Sequence, residues 1–299
     1  MPVGFYYLGL FYCAAIWGAT FYLVKDALSS VDPVVLVGYR FLLAALCLTP
    51  WMVPGTKWPF SSIWYLVPSG WGILKEAAVL AFWLTLLYIT QTIGLRYTSA
   101  SNSGFITGLF VLFVPLILRF LFGQPVLAIQ WAAVGLAVLG LWILTGGIRE
   151  FNLGDGLTIL SALAYASHLL MTDRYVRRDL DIPSLSFHQF WMTGLFCLTL
   201  AGISGSSFGI SSAKGAWVIL FLALFPTLTA FFIQMTAQKY IAPLKVSLIF
   251  SLEPVFAAMF AWTLGAEEFR LIGVLGGGLI VTAMVLTEFA RYRNVRINN

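Results

Sequence analysis

Apolar runs of about twenty residues, separated by short breaks, dominate this sequence and leave it few ways to fold. A helix needs roughly twenty residues to cross the ~30 Å hydrocarbon core of a bilayer. Runs near 4–24, 33–52, 72–94, 98–120, 127–146, 154–172, 185–204, 215–236, 242–263 and 270–289 have that length. Turn chemistry sits between them: Asp32 Pro33, Pro54 Gly55, Gly123 Gln124 Pro125, Gly146 Gly147, Asp181 Ile182 Pro183, Gly205 Ser206 Ser207 and Gly265 Ala266 Glu267. The longest link, Val53 to Trp71, carries Trp58, Phe60, Trp64 and Tyr65 among prolines, which suits a segment at the headgroup level. The chain is 60% hydrophobic and 10% charged, against about a quarter charged in a soluble domain. These figures predict an all-α integral membrane protein of ten transmembrane helices, with no separate soluble module.

The sequence also repeats. At a shift of 143 residues, ten identities fall between 91 and 144: Gln91, Tyr97, Ile106, Leu109, Phe113, Leu121, Ile129, Gly135, Leu136 and Val138. Ten spans divide into five and five, placing one repeat in residues 1–147 and the other in 148–299. With the N-terminus inside, the inner links and tail hold Lys57, Lys75, Arg119, Arg174, Arg177, Arg178, Lys239, Arg291, Arg293 and Arg296. The outer links hold only Lys25, Arg96, Arg149, Lys214 and Arg270. This bias predicts that both termini are cytoplasmic. Five is odd, so the second repeat is inverted relative to the first, the ground plan of proteins that open one site alternately to either side of a membrane.

Several function classes lose support here. The net charge of +5 resides in short links and the C-terminal end, where orientation explains it without nucleic acid. Cys13, Cys47 and Cys197 lie in apolar runs without paired spacing and read as small buried hydrophobes. His168 and His188 lack the spacing of a metal pair, so no metal and no cofactor is expected. The opening residues to Val24 lack a charged leader and a small-residue cleavage site, and are read as a first span.

Ionisable groups inside spans are costly and normally face the bundle interior or water. Arg40, Glu76, His168, His188, Lys245 and Glu253 are of this kind. Glu253 is the deepest and precedes Pro254, which cannot donate to the Phe250 carbonyl. A carboxylate beside a released carbonyl suits a cation or proton; a structural ion pair with Arg40 or Lys245 explains it equally well. Lys245 overlies Asn102 in the repeat, with Ser101, Ser103 and Ser247 nearby, so the two are candidate pseudo-symmetric substrate contacts or helix-packing positions. Arg40 can bind a carboxylate or phosphate through its planar fork, or snorkel outward. Gln91 and Gln234 match in the repeat and suit either a neighbouring helix or a ligand. Trp17 and Tyr165, roughly equivalent in the two halves, each begin a patch of small residues that leaves room for a stacked ligand or a close helix crossing.

Taken together, Trp17 Gly18 Ala19 Thr20 Phe21, Tyr39 Arg40 Phe41, Gly94 Leu95 Arg96 Tyr97 Thr98 Ser99 Ala100, Gly104 Phe105 Ile106 Thr107 Gly108 Leu109 and Ser251 Leu252 Glu253 Pro254 Val255 Phe256 resemble the EamA-type branch of the drug/metabolite transporter superfamily. The resemblance covers nearly the whole chain. It implies two inverted five-helix repeats around a central cavity lined by the first four helices of each half. By position it assigns substrate contacts to Trp17, Arg40, Asn102, Phe105, His168, Gln189, Lys245 and Phe250, and coupling or an ion pair to Glu253. The sequence departs from the family pattern at Gly123 Gln124, where Gly-Glu is common, and at Pro115, four positions from where Pro254 would place it.

The reading that follows is a bacterial inner-membrane secondary transporter, exporting small polar or zwitterionic metabolites such as amino acids by alternating access. Its expected partners are the substrate, the lipid bilayer and protons, since no Walker-type loop for nucleotide hydrolysis is present. The alternatives are a permease for phosphorylated or nucleotide-linked solutes, and a membrane-embedded lipid-modifying enzyme, which lacks the expected DDxxD or HExxH motifs.

Overall fold

A computed structural model describes residues 3–52, 71–145, 151–178, 180–264, 269 and 271–297. Among these residues every regular element is helical. In order they are α1 (Val3–Ala27), α2 (Pro33–Met52), α3 (Trp71–Gly94), α4 (Ala100–Gly108), α5 (Phe110–Phe120), α6 (Ala128–Thr145), α7 (Leu153–Val176), α8 (Ile182–Ile203) and α9 (Ala213–Leu222). A π-helical segment (Ala223–Thr229), α10 (Ala230–Gln238), α11 (Pro243–Phe250), α12 (Glu253–Thr263) and α13 (Leu271–Ile297) follow. Residues 53–70 of the aromatic link, Gly146 Gly147 and Gly265 Ala266 Glu267 lie outside the described residues.

Among the described residues, seven stretches are long and apolar enough to cross a membrane: Gly4–Ala27, Pro33–Pro50, Ile73–Gly94, Asn102–Phe120, Leu153–Val176, Ala213–Gln238 and Pro243–Phe260. Ala128–Leu144 and Leu271–Leu286 are shorter apolar helices. Helix α8 is 22 residues long but more polar, with Ser184, Ser186, Gln189 and Thr193 all buried. It packs between α2 and α3, so these side chains face protein and need not contact lipid.

Turn chemistry starts the helices. Asp32 Oδ1 accepts from the Val34 N–H at 2.9 Å at the head of α2, and Asp181 Oδ2 accepts from Ser184 N–H at 2.9 Å at the head of α8. Asn152 and Asp155 form a reciprocal capping box at α7, and Thr98 donates to Asp155 at 2.7 Å, tying the α3–α4 turn to the start of α7.

Charged groups collect at two ends. At one, Arg96 pairs with Asp32 at 3.4 Å, Lys214 with Asp26 at 2.8 Å, and Lys25 donates to the Thr98 carbonyl. At the other, Arg178 reaches Glu76 at 3.9 Å, and Arg177 pairs with Asp173 at 2.9 Å while donating to the Ile241 carbonyl at 3.1 Å. Between them runs an apolar core built from all the long helices. Helices α6 and α13 pair with each other at the edge. A Cβ on Gly140 would stand 2.6 Å from the Gly276 carbonyl, so only glycine permits that approach.

Candidate functional site

Two helix interruptions prepare the centre of the bundle. The helical ladder breaks at Leu109, between α4 and α5, and at Ser251 and Leu252, between α11 and α12. Leu109 and Leu252 are 143 residues apart, so the breaks fall at equivalent places in the repeat. At the second, Pro254 cannot donate to Phe250. The first has no proline at that position; there Gly108 lies against Pro254, a Cβ on it standing 3.0 Å from the proline ring. Gly104 faces Ala257 one turn away, so α4 and α12 run antiparallel with their breaks in contact. On the other side of α12 lies α1, where a Cβ on Gly18 would come within 2.7 Å of the Glu253 carbonyl. The first turn of α12 is thereby held between two helix backbones.

Glu253 begins that turn. It is 5% exposed, and its Oε2 has no hydrogen-bond partner. The Tyr165 hydroxyl is its polar neighbour. Aromatic rings enclose this point. Trp17 meets Phe250 edge-on at 4.9 Å and Phe231 at 5.4 Å, while Tyr165 stacks on Phe110 at 4.3 Å.

Arg40 occupies the other side of the centre, 2% exposed. Its Nε donates to Thr227 Oγ1 and its Nη2 to the Tyr88 hydroxyl at 3.3 Å, and its guanidinium lies 4.5 Å from the centroid of the Tyr88 ring. The π segment explains why Thr227 is available. Pro226 supplies no N–H for the Leu222 carbonyl, and the Thr227 hydroxyl donates there instead at 2.7 Å. With its proton committed, that oxygen faces Arg40 as an acceptor. Trp17 Nε1 donates to the Pro226 carbonyl at 2.6 Å, joining α1 to the same widened turn. Among the described residues no ion pair joins Arg40 and Glu253.

Below the aromatic group, His168 Nε2 and Gln189 Oε1 are 3.1 Å apart, which assigns the proton to Nε2, and Gln189 Nε2 donates to Met235 Sδ at 3.4 Å. His168 also meets Phe231 edge-on at 5.7 Å.

The structure therefore gathers Trp17, Arg40, His168, Gln189, Phe250 and Glu253. Three other candidates lie elsewhere. Phe105 packs towards α6, its ring 5.9 Å from Trp142. Asn102 is in the first turn of α4, its N–H bound by the capping Ser99 hydroxyl at 3.0 Å. Lys245 is in the first turn of α11 and half-buried. Extending the Gly108–Pro254 and Gly104–Ala257 pairings puts Asn102 opposite the middle of α12, about 20 Å along the axis from Lys245. Gln91 donates to Thr107 at 3.1 Å and Gln234 to Gln238 at 3.0 Å, both within the protein.

Sequence reasoning passed over Tyr88, Thr227 and Phe231. Tyr88 and Phe231 are equivalent at the shift of 143, and their rings meet at 6.4 Å. That equivalence, with Pro226 in mid-span, was the available signal.

A protein-family model described as the EamA-like transporter family matches the chain twice, at residues 4–146 and 152–289. This chain belongs to the EamA-like transporter family. A relative from Archaeoglobus fulgidus, described as an uncharacterized transporter, is 31% identical over 94% of this chain and 85% of its own length. The uncharacterized inner membrane transporter YedA of Escherichia coli is 24% identical over 95% of this chain and 90% of its own. A solved crystal structure, 14% identical, superposes with a TM-score of 0.76 over 97% of this chain and 98% of that one, so the EamA-like chain shares its fold.

Proposed function

We propose that this EamA-like protein is a secondary active exporter of small zwitterionic metabolites, amino acids first among them, working by alternating access. One observation carries the reading: a buried guanidinium and a buried carboxylate stand in the same aromatic centre without pairing. Charges placed so are costly unless something else meets them. A zwitterion meets both, its carboxylate at Arg40 and its ammonium at Glu253.

The architecture we infer is ten crossings in two inverted five-helix repeats, divided at residue 147. The double family match supports that division. Exchange of α1 with α7, α2 with α8, α3 with the α9–π–α10 unit, α4–α5 with α11–α12 and α6 with α13 preserves the main packing. The α2–α8 and α6–α13 pairs map onto themselves, α3–α7 onto α1–α10, and α4–α12 onto α5–α11. Lys25, Arg96 and Lys214, assigned to one face, gather at one end, and Arg177 and Arg178, assigned to the other, at the opposite end. In this reading both termini face the cytoplasm and the protein resides in the inner membrane, in keeping with the description of YedA.

In transport, the two halves rock around the joined breaks of α4–α5 and α11–α12. Glu253 serves as the group that exchanges the ammonium for a proton. The test is flux into and out of proteoliposomes across a panel of amino acids and related metabolites. Gradient-dependent movement of a zwitterion is expected. Movement of phosphorylated solutes alone would replace the reading with the permease one, and no flux by folded protein would end it.

A further inference from the structure

Helix α7 carries an arrangement that the substrate site does not use up. Ser161, Tyr165, His168 and Thr172 follow at intervals of four, three and four residues, which places them within one narrow stripe of the helix surface. Each is at least nine-tenths buried. In three of them a polar side-chain atom has no hydrogen-bond partner in the protein, Ser161 Oγ, His168 Nδ1 and Thr172 Oγ1, while the Tyr165 hydroxyl has only Glu253 beside it. The rest of α7 behaves differently. The Thr158 hydroxyl donates to the Gly154 carbonyl at 2.7 Å, Ser167 to Leu163 at 2.9 Å, and Asp155 is held in its capping box.

Other elements of the bundle add one more unpartnered atom and a carboxylate. Gln234 Oε1 belongs to α10, which packs on α7, and Glu253 Oε2 lies beside Tyr165. The clustering is what matters: buried polar groups are nearly always hydrogen-bonded to protein or to ordered water, yet Ser161, His168 and Thr172 each leave one unpaired along a single stripe. Water suits the chemistry. Hydroxyls, an imidazole nitrogen, an amide oxygen and a carboxylate oxygen together offer both donors and acceptors, spaced about one helical turn apart.

We infer that this stripe of α7, closed here, is wetted when the bundle opens, as a file of water running from Ser161, past Tyr165 and Glu253, to Thr172, and that this file hydrates the Glu253 carboxylate. The file stops short of the start of α7, where Thr98, Asp155 and Thr158 satisfy one another or nearby carbonyls. Its open direction is the opposite one, towards the end of α7 at which Asp173 and Arg177 pair. The inference extends the transport reading, but its test needs no substrate, so either can fail alone.

The test is thiol labelling in membranes, in a chain whose Cys13, Cys47 and Cys197 are replaced. Ser161→Cys and Thr172→Cys are near-isosteric probes on the stripe. Leu170→Cys is the control: Leu170 is 2% exposed, at a similar depth, on the opposite side of α7. A small water-soluble methanethiosulfonate reagent is expected to modify Thr172→Cys and Ser161→Cys at least tenfold faster than Leu170→Cys. Equal rates at all three sites, or no reaction at the stripe, would overturn the inference. The unaltered chain gives a second readout by hydroxyl-radical footprinting. Tyr165 should oxidise several-fold faster than Tyr88, which is similarly buried but bonded to Arg40. Equal or slower oxidation of Tyr165 would count equally against the file.

Discussion

Gly18→Ala should loosen the clamp on Glu253, and its cost can be worked from the structure. The added Cβ would lie 2.7 Å from the Glu253 carbonyl oxygen, 2.7 Å from Phe256 Cβ and 2.9 Å from the Ala257 nitrogen. Two of these are backbone atoms of α12, so no side-chain rotation relieves them. Restoring ordinary contact requires α1 and α12 to separate by about 0.7 Å, an overpacking shift that costs about 1–3 kcal/mol. Alanine also gains up to about 1 kcal/mol of helix propensity over glycine, which would mask part of that cost. Gly135→Ala supplies the correction, since Gly135 is an exposed residue of α6 with nothing within 4 Å of its added Cβ. The difference between the two variants isolates the contact. By thermal unfolding in one detergent, Gly18→Ala should melt at least about 2 °C below Gly135→Ala. Flux should fall as well, because the contact falls on the backbone of Glu253 itself. Equal melting temperatures would show that α1 and α12 do not approach as described, and the account of a clamped first turn would fail.

Arg40→Lys keeps the charge but cannot reproduce the fork that engages Thr227 and Tyr88 together. Losing one such charged hydrogen bond, about 1.5–3 kcal/mol, should cut flux tenfold or more at unchanged protein abundance, as read by uptake normalised to immunoblot. Glu253→Gln preserves volume while removing the charge, so transport should lose its response to an imposed pH gradient; an unaltered response would remove Glu253 from the coupling step. Asn152→Ala deletes the side chain of the α7 capping box and should lower stability by about 0.5–2 kcal/mol while leaving substrate affinity unchanged, checked by melting and by half-saturation in flux.

The long spans were legible because one property, apolar length, determines them. The expected 33–52, 72–94 and 127–146 correspond to Pro33–Met52, Trp71–Gly94 and Ala128–Thr145. The breaks inside spans were only half legible. Pro254 advertised the one near Leu252, but the one at Leu109 arises where Gly108 meets a proline 146 residues away, and no local signal marks it. The π turn was hidden for a related reason. Pro226 was visible, but not that Thr227 would take over its missing hydrogen bond and so present an acceptor to Arg40.

Burial cost singled out Arg40, Glu76, His168, His188, Lys245 and Glu253; the structure places Arg40, His168 and Glu253 at the centre, whereas Glu76 reaches Arg178 at one end, His188 accepts from Trp191 and Lys245 is in the first turn of α11. The overlay of Asn102 on Lys245 teaches a limit of repeat reasoning. Equivalent positions of an inverted repeat meet only near the axis that relates them, and residues in the first turn of their helices are carried to opposite ends. Tyr88 and Phe231 are also equivalent, but they lie in mid-helix and do meet.

Counterflow tests the central claim most directly. Proteoliposomes are preloaded with an unlabelled zwitterion identified in the flux panel, and entry of the same labelled compound is followed without any other gradient. A site exposed alternately to each face predicts saturable, transient accumulation of label above equilibrium, reduced at least tenfold in Arg40→Lys. Label that only equilibrates, at a rate linear in concentration and indifferent to the preload, would contradict alternating access around this centre.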